Sequence, residues 1–380
     1  MRICNVCLTH DPDLGGLHRS VADFATALDA GIVSFDDGLR QRPRHESQPR
    51  VERVACGSLP GVRECHFVFP AAARHAAAAV ADADLLVVHS LFRGHASWTR
   101  RWARRHGRRY WSVPHGCLDP WSLSQRGVSK RLWLTTAGRS FLRDAERVVF
   151  SSRRSLEKAR RWVAAERGVV VPWPVEVPAT GGDDESRRRF RENLGIPDGS
   201  RVLLFLGRLH SVKRPVETLR AFVAADPPRC HLVIAGMDGD VTRTQLLRMV
   251  PPAFASRVHL VGPLADGEVA AAYRGADGFI SLSWQENFGY AAAEAVAYGL
   301  PVILSGGHDL AHEMPLRAGR FGCGWLLDED AVVGAVDAIR GFAAATEADL
   351  AAMGAAGRSW AGDVLTRARF RDTLTRLAEG

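Results

Sequence analysis

Short apolar runs alternate with amphipathic, Ala-rich stretches from one end of the chain to the other. In the first half "RICNVCL", "GIVSF", "DLLVVHS", "RYWSVPHG" and "RVVFSS" have the length and continuity of buried strands. Stretches between them, such as "GLHRSVADFATALDA" and "SRRSLEKARRWVAAE", repeat apolar residues at helical spacing. The series restarts in the second half with "RVLLFLGR", "CHLVIAG", "RVHLVGP", "GFISLS" and "PVILSGG". Strand, helix, strand repeated in this way predicts an α/β chain with parallel sheets covered by helices on both faces.

Between the two series lies "VVVPWPVEVPATGGDDESRRRFRENLGIPDGS", in which Pro172, Pro174, Pro178, Gly181, Gly182 and a charge cluster predict a linker without regular structure. The boundary is placed near residue 176, giving two doubly wound, Rossmann-like domains over 1–175 and 176–359. The tail "RSWAGDVLTRARFRDTLTRLAEG" reads as one or two helices, and the segment from about 360 to 380 can pack on either domain. Two such domains joined by a short linker face a central cleft at the carboxyl ends of their strands, where ligands of these sheets bind.

A chain of 380 residues with 46% apolar and 24% charged residues can bury two cores and is not disordered. No run approaches the roughly 20 apolar residues of a membrane span, and the N-terminal apolar stretch meets His10 and Asp11 too early for a signal peptide. These features predict a cytoplasmic protein. Seven cysteines do not form a disulfide framework in a chain of this length. Cys4 and Cys7 have C-x-x-C spacing but lie in a predicted strand, which points the two thiols to opposite faces.

The net charge of +8 and pI near 9.5 raise a nucleic-acid reading. Only three of the 50 basic residues are lysines, Lys130, Lys158 and Lys213, and the arginines are spread over the whole chain. Such a bias is compositional, and no nucleic-acid-binding module accompanies it.

Chemistry concentrates where predicted strands end. After "LLFLG", Arg208 and Lys213 sit in the loop before a helix, where a guanidinium and an ammonium can neutralise a diphosphate leaving group. Gly262, Pro263 and Leu264 follow another strand, with backbone groups placed to meet a nucleobase edge. In "SWQENFGYAAAEA", Glu286 falls in the loop after "GFISLS" and Glu294 about two turns into a helix starting near Phe288. The amides of Asn287, Phe288 and Gly289 then lie at its positive end. "LADGEVAAAYRGA" reads as an exposed helix.

The order and spacing of "GRLHSVKRP", "VGPL" and "SWQENFGYAAAEAVAYGLPVI" resemble the nucleotide-sugar half of the retaining glycosyltransferases of family 4, the group 1 glycosyl transferases, which have the GT-B fold. That resemblance implies that Glu294 holds the donor's ribose hydroxyls, and that Glu286 and the following amides contact the transferred sugar. Arg208 and Lys213 would bind the diphosphate, and the backbone of Gly262 to Leu264 would face the base. Gly15 and Gly16, after the first strand, match the family's turn near the donor phosphates. His115, in "HGCLDPWSL", is the candidate for contacting the reacting sugar and assisting proton movement. His89 is a weaker candidate, and Asp119 and Trp121 are candidates to line the acceptor site. The chain departs from the family at the linker, where many relatives carry Asn-Gly and this one reads "VVVPWPVEVP".

The implied reaction moves a sugar from a UDP- or GDP-sugar to a hydroxyl acceptor on a glycan, a lipid-linked glycan or a small molecule. No cofactor or metal is required if cations stabilise the departing diphosphate. The Asp82 to Asp84 and Asp238 to Asp240 strings have no supporting ligand cluster and read as loop and helix-cap residues. No carboxylate in the first half is placed as a nucleophile, which favours acceptor attack on the face the diphosphate leaves. Residues 93 to 111 carry seven arginines and no acid, either as a solvated helix face or as a peripheral contact with an anionic membrane. A GT-B epimerase or phosphorylase is the alternative enzyme, and a nucleic-acid-binding protein the distant one.

Overall fold

The computed structural model describes residues 1–10, 15–35, 50–54, 68–125, 127–179, 184–315, 322–328 and 332–380. The chain divides into two units, Met1–Pro174 with Arg367–Gly380, and Val175–Thr366. In the first, β1 (Ile3–Cys7), β2 (Gly31–Ser34), β3 (Val51–Arg53), β4 (Leu85–His89), β5 (Arg109–Val113), β6 (Arg147–Phe150) and β7 (Gly168–Val170) form a parallel sheet of order β3-β2-β1-β4-β5-β6-β7. In the second, β8 (Arg201–Leu206), β9 (Cys230–Ala235), β10 (Val258–Gly262), β11 (Gly278–Ser281), β12 (Val302–Ser305) and β13 (Gly324–Leu327) pair in parallel as β10-β9-β8-β11-β12-β13. The strand order reverses beside β1 in one sheet and beside β8 in the other. Sheets of this kind take ligands at the carboxyl ends of the strands flanking the reversal.

The central strands are apolar runs because helices cover both their faces. Every residue of β4 and of β9 is buried. Cys4 packs with Trp98 and Tyr110 on one face of the first sheet, and Cys7 with Val21 and Ala25 on the other. Burial pushes the Cys4 thiol up to about 12, which leaves it an inert core side chain.

The C-terminal segment folds as two helices. Glu347–Val364 belongs to the second unit and Arg367–Glu379 to the first, where Phe370 meets Phe24 edge-on at 5.1 Å and lies 6.1 Å from Trp173.

Part of the stretch expected to lack regular structure is ordered. Its first residues complete β7, and Asp184–Asn193 is a helix. Gly181 and Gly182 lie outside the described residues. The charges that suggested a linker are the helix's own support, since Arg188 pairs with Glu185 and Glu192, and Arg189 pairs with Glu185. Arg187 and Arg191 both reach Asp277, whose second oxygen also accepts the Val202 amide at 2.7 Å. Asp277→Ala therefore removes one anchor of two arginines and a strand amide. It is expected to cost about 2 kcal/mol, read as a lower denaturation midpoint at unchanged m-value.

Candidate functional site

In the second unit the candidate residues gather at the carboxyl ends of β8 and β11. Lys213 closes a single 3-10 turn, Ser211–Lys213, whose start is held by Asp240 accepting the Ser211 amide at 2.7 Å. The Lys213 ammonium donates to Glu286 in direct contact. Burial first, then the neighbouring Arg208 charge, pulls Lys213 down to about 8 from its ordinary value, while the Glu286 carboxylate favours the charged form. Arg208 is exposed on the same loop. Next to Lys213, Arg214 is buried in a left-handed conformation, φ 56°, and its guanidinium lies 3.2 Å over the Trp284 ring. That stack ties the β8 loop to the β11 loop.

Glu286 is fixed through its backbone. Its amide donates to the Gly307 carbonyl at 2.9 Å, and its own carbonyl accepts the Asp309 amide at 2.9 Å. A methyl group on Gly307 would overlap the Ser283 and Trp284 carbonyls, so only glycine allows this approach of the two loops. The helix begins at Tyr290, two residues later than expected, because Gly289 is left-handed at φ 76°. A Cβ at Gly289 would lie 2.9 Å from Glu286 Cγ and 3.1 Å from His308 Nδ1. Asn287, Phe288 and Gly289 thus form the turn before the helix, with Phe288 and Gly289 buried.

Glu294, within the helix Tyr290–Ala297, answers the cost of placing a carboxylate among alanines. The Tyr273 hydroxyl donates to its Oε2 at 2.9 Å. Tyr273 is buried in Asp266–Gly275, so the helix expected to be exposed buries one side, and Tyr273 stacks on Tyr298 at 4.9 Å. Gly262 ends β10 in a left-handed conformation, φ 79°, followed by exposed Pro263 and part-buried Leu264.

Besides Arg214, Trp284 and Gly307, two contributors were not singled out in the sequence. His308, buried after β12, shares Nε2 with Ser281 Oγ at 2.9 Å, and burial brings it down to about 3. Tyr273 is the other. "SGGHDL" carried a signal for the first, a histidine beside glycine just past a strand end, as in "PHG".

In the first unit, Gly15 stands at φ 61° before the helix Gly16–Ala27. His115 lies two residues beyond the end of β5, in a left-handed conformation that costs on the order of 1 kcal/mol, φ 49°. His89 is fully buried at the end of β4, and its Nδ1 lies 2.8 Å from His115 Nε2. Desolvation brings His115 down to about 3 and holds His89 well below its ordinary value, so both rings are neutral near pH 7. Asp119 caps the helix Pro120–Ser124 through the Trp121 amide at 2.9 Å and pairs with Lys158 at 2.6 Å. Its carboxylate is engaged in holding the backbone, whereas Trp121 is exposed.

The arginines of residues 93 to 111 are partly matched. Arg100 and Arg104 face Asp144, Arg108 faces Asp84, and Arg109 faces Glu146. Asp82 pairs with Arg2, and Asp238 accepts the Arg243 amide. Among the described residues no helix is long and apolar enough to cross a membrane.

Two family models match in tandem, a glycosyl transferase 4-like domain over residues 15–174 and glycosyl transferases group 1 over residues 186–360. The chain belongs to the group 1 glycosyltransferases. It is a nucleotide-sugar glycosyltransferase of GT-B type, in place of the epimerase, phosphorylase and nucleic-acid alternatives. It is similar to the GDP-mannose:cellobiosyl-diphosphopolyprenol alpha-mannosyltransferase of Xanthomonas campestris, 25% identical over 92% of this chain and 89% of that one. A D-inositol 3-phosphate glycosyltransferase of Thermomonospora curvata is 38% identical over 32% of this chain and 30% of its own length. Among solved structures, Anabaena HepE, in complex with UDP and glucose, matches with TM-score 0.81 at 18% identity, covering 100% and 99% of the two chains. Sucrose-phosphate synthase of Thermosynechococcus elongatus matches with TM-score 0.79 at 18% identity, covering 100% and 99%. These two establish the fold.

Proposed function

We propose that this glycosyltransferase moves a sugar from a UDP- or GDP-sugar to a hydroxyl acceptor with retention at the anomeric carbon and without a divalent metal. The observation that carries this reading is the Lys213–Glu286 contact beside the strand reversal of the second sheet, with Arg208 on the same loop. Breaking the anomeric bond builds negative charge on the departing diphosphate. Lys213 and Arg208 supply fixed positive charge there, which a metal would otherwise supply. Glu286 orients the ammonium and, with the Asn287 to Gly289 turn, contacts the transferred sugar. Glu294 holds the ribose, and the turn from Gly262 to Leu264 faces the base. In this reading the second unit takes the donor and the first the acceptor, with Gly15 and Gly16 near the donor phosphates and His115 near the reacting sugar.

The near full-length Xanthomonas relative is named for a diphosphopolyprenol-linked acceptor, which supports a lipid-linked glycan as acceptor here. Contact with an anionic membrane surface would serve such an acceptor. Val128 and Leu132, one helical turn apart on Gly127–Thr135, are 85% and 64% exposed with exposed Arg131 between them. Anionic liposomes at low salt are expected to sediment the protein, and Val128→Ser with Leu132→Ser to leave it in the supernatant. Failure of the unaltered protein to sediment removes this contact. In this reading the reaction takes place in the cytoplasm.

Thermal stabilisation by a panel of nucleotide sugars identifies the donor. Product then forms in the presence of EDTA, with the donor's anomeric configuration by proton coupling. Inversion, or an absolute metal requirement, ends the corresponding part of the proposal. The activity is also expected to carry a basic limb. Lys213 of the free enzyme loses its proton as pH rises through about 8, where an exposed lysine stays charged, so kcat/KM falls above that pH. Lys213→Arg should remove the limb, because a guanidinium stays protonated there.

A further inference from the structure

In the first unit, three polar side chains form a chain of hydrogen bonds that runs from the floor of the sheet to His115. Asn5 lies within β1, and β4 pairs alongside it, ending at His89. The Asn5 amide nitrogen faces the Gly31 carbonyl at 3.5 Å, and its Oδ1 lies 2.9 Å from His89 Nε2. A carbonyl only accepts. The amide orientation is therefore set by Gly31, and Oδ1 is the atom turned to His89.

Each link dictates the next. Oδ1 accepts, so His89 Nε2 carries the hydrogen. His89 is fully buried, with its own carbonyl bonded to His95 Nε2 at 2.9 Å and Phe24 packed edge-on at 5.2 Å, and a neutral ring with Nε2–H has a bare Nδ1. That Nδ1 meets His115 Nε2 at 2.8 Å, so His115 Nε2 is the donor and His115 Nδ1 keeps its lone pair. Ser20 Oγ lies 3.4 Å from this Nδ1 and donates to the Leu17 carbonyl at 3.0 Å.

We infer that Asn5 and His89 are positioning residues that fix the tautomer of His115, so that its Nδ1 accepts a hydrogen bond from a hydroxyl of the bound sugar. Both belong to the floor of the sheet rather than to a surface that a substrate touches. The inference rests on the proposed role of His115, and it refines that role. A ring brought down to about 3 does not store a proton near pH 7; it orients a hydroxyl through a lone pair.

Long-range proton–nitrogen correlation spectra of the full chain labelled with 15N-histidine read the tautomer directly, with the His115 signals assigned by their loss in His115→Asn. At pH 7 the unaltered protein is expected to show His115 protonated at Nε2 and bare at Nδ1. A proton on Nδ1, or on both nitrogens, would overturn the inference. Asn5→Leu, with the same branching but no acceptor, is expected to give a mixed His115 pattern and to lower kcat about tenfold, with the donor KM changed far less. A mixed pattern at unchanged kcat would equally overturn it. If Asn5→Leu does not fold, the spectrum of the unaltered protein decides. Full activity in His115→Ala would instead remove the sugar contact and leave the tautomer finding standing, so the two failures are told apart.

Discussion

Lys213→Ala is expected to lower kcat by about a hundred- to a thousandfold while the protein stays folded. Three features make this effect larger than that of an ordinary surface lysine. The ammonium is largely desolvated, which strengthens its field at a neighbouring phosphate. It is held by a short 3-10 turn anchored on Asp240 and by the Glu286 carboxylate, so little reorganisation is needed when charge develops. Arg208 stands close enough to disfavour the Lys213 charge, so both cations bear on one region. Because that charge grows only as the bond breaks, the loss should fall on kcat more than on donor binding.

The same substitution leaves Glu286 without its cation. A part-buried carboxylate that loses its partner costs about 1–3 kcal/mol, so a modest fall in melting temperature should accompany the kinetic loss. Lys213→Met, which keeps the stem without the charge, should match Lys213→Ala in kcat. Unchanged kcat in both would remove the diphosphate assignment. A proportionate loss of stability and of active fraction would assign Lys213 to folding alone.

The central strands were legible because burial on both faces demands continuous apolar runs, which "DLLVVHS" and "CHLVIAG" supply. The strands that escaped, β3, β7 and β13, are all at sheet edges. β3 and β7 are three residues each and only half-buried throughout, and "GWLL" in β13 is buried only at its first residue. An edge strand has one neighbour, and its sequence is correspondingly less constrained. The helix Asp184–Asn193 escaped for a different reason. Its support is a set of ion pairs, two of them reaching Asp277 some ninety positions away, and no periodicity of apolar residues announces it.

The candidate site divides along the same line. Arg208, Lys213 and Glu286 could be named because they follow strands that could be named, and strand ends are where such sheets bind ligands. The links that hold them could not. Arg214 over Trp284, the Gly307 carbonyl under Glu286 and Asn5 beneath His89 join segments far apart in sequence. The backbone strain was equally hidden, since Ser90, Phe92, His115 and Arg214 take positive φ values that their residue types do not announce.

Glu294→Ala is expected to weaken donor binding about a hundredfold while changing kcat several-fold at most. A ribose presents two neighbouring hydroxyls, and a carboxylate can accept from both. Each charged hydrogen bond contributes about 1.5–3 kcal/mol, and part of that returns as water replaces the carboxylate. Glu294 is poised for this task because Tyr273 fixes one of its oxygens, and the surrounding alanines leave the helix close-packed without it. Alanine suits that helix by propensity as well, so the substitution tests binding with little effect on the fold. Tyr273→Phe, which removes the hydroxyl's bond to the carboxylate and keeps the carboxylate, should weaken the donor only several-fold. Calorimetric titration with the donor and with the free nucleoside diphosphate separates the terms. If Glu294 grips the ribose, both ligands lose affinity equally, whereas a loss confined to the sugar-bearing donor would place Glu294 at the sugar, and a normal titration with both would remove it from the donor site.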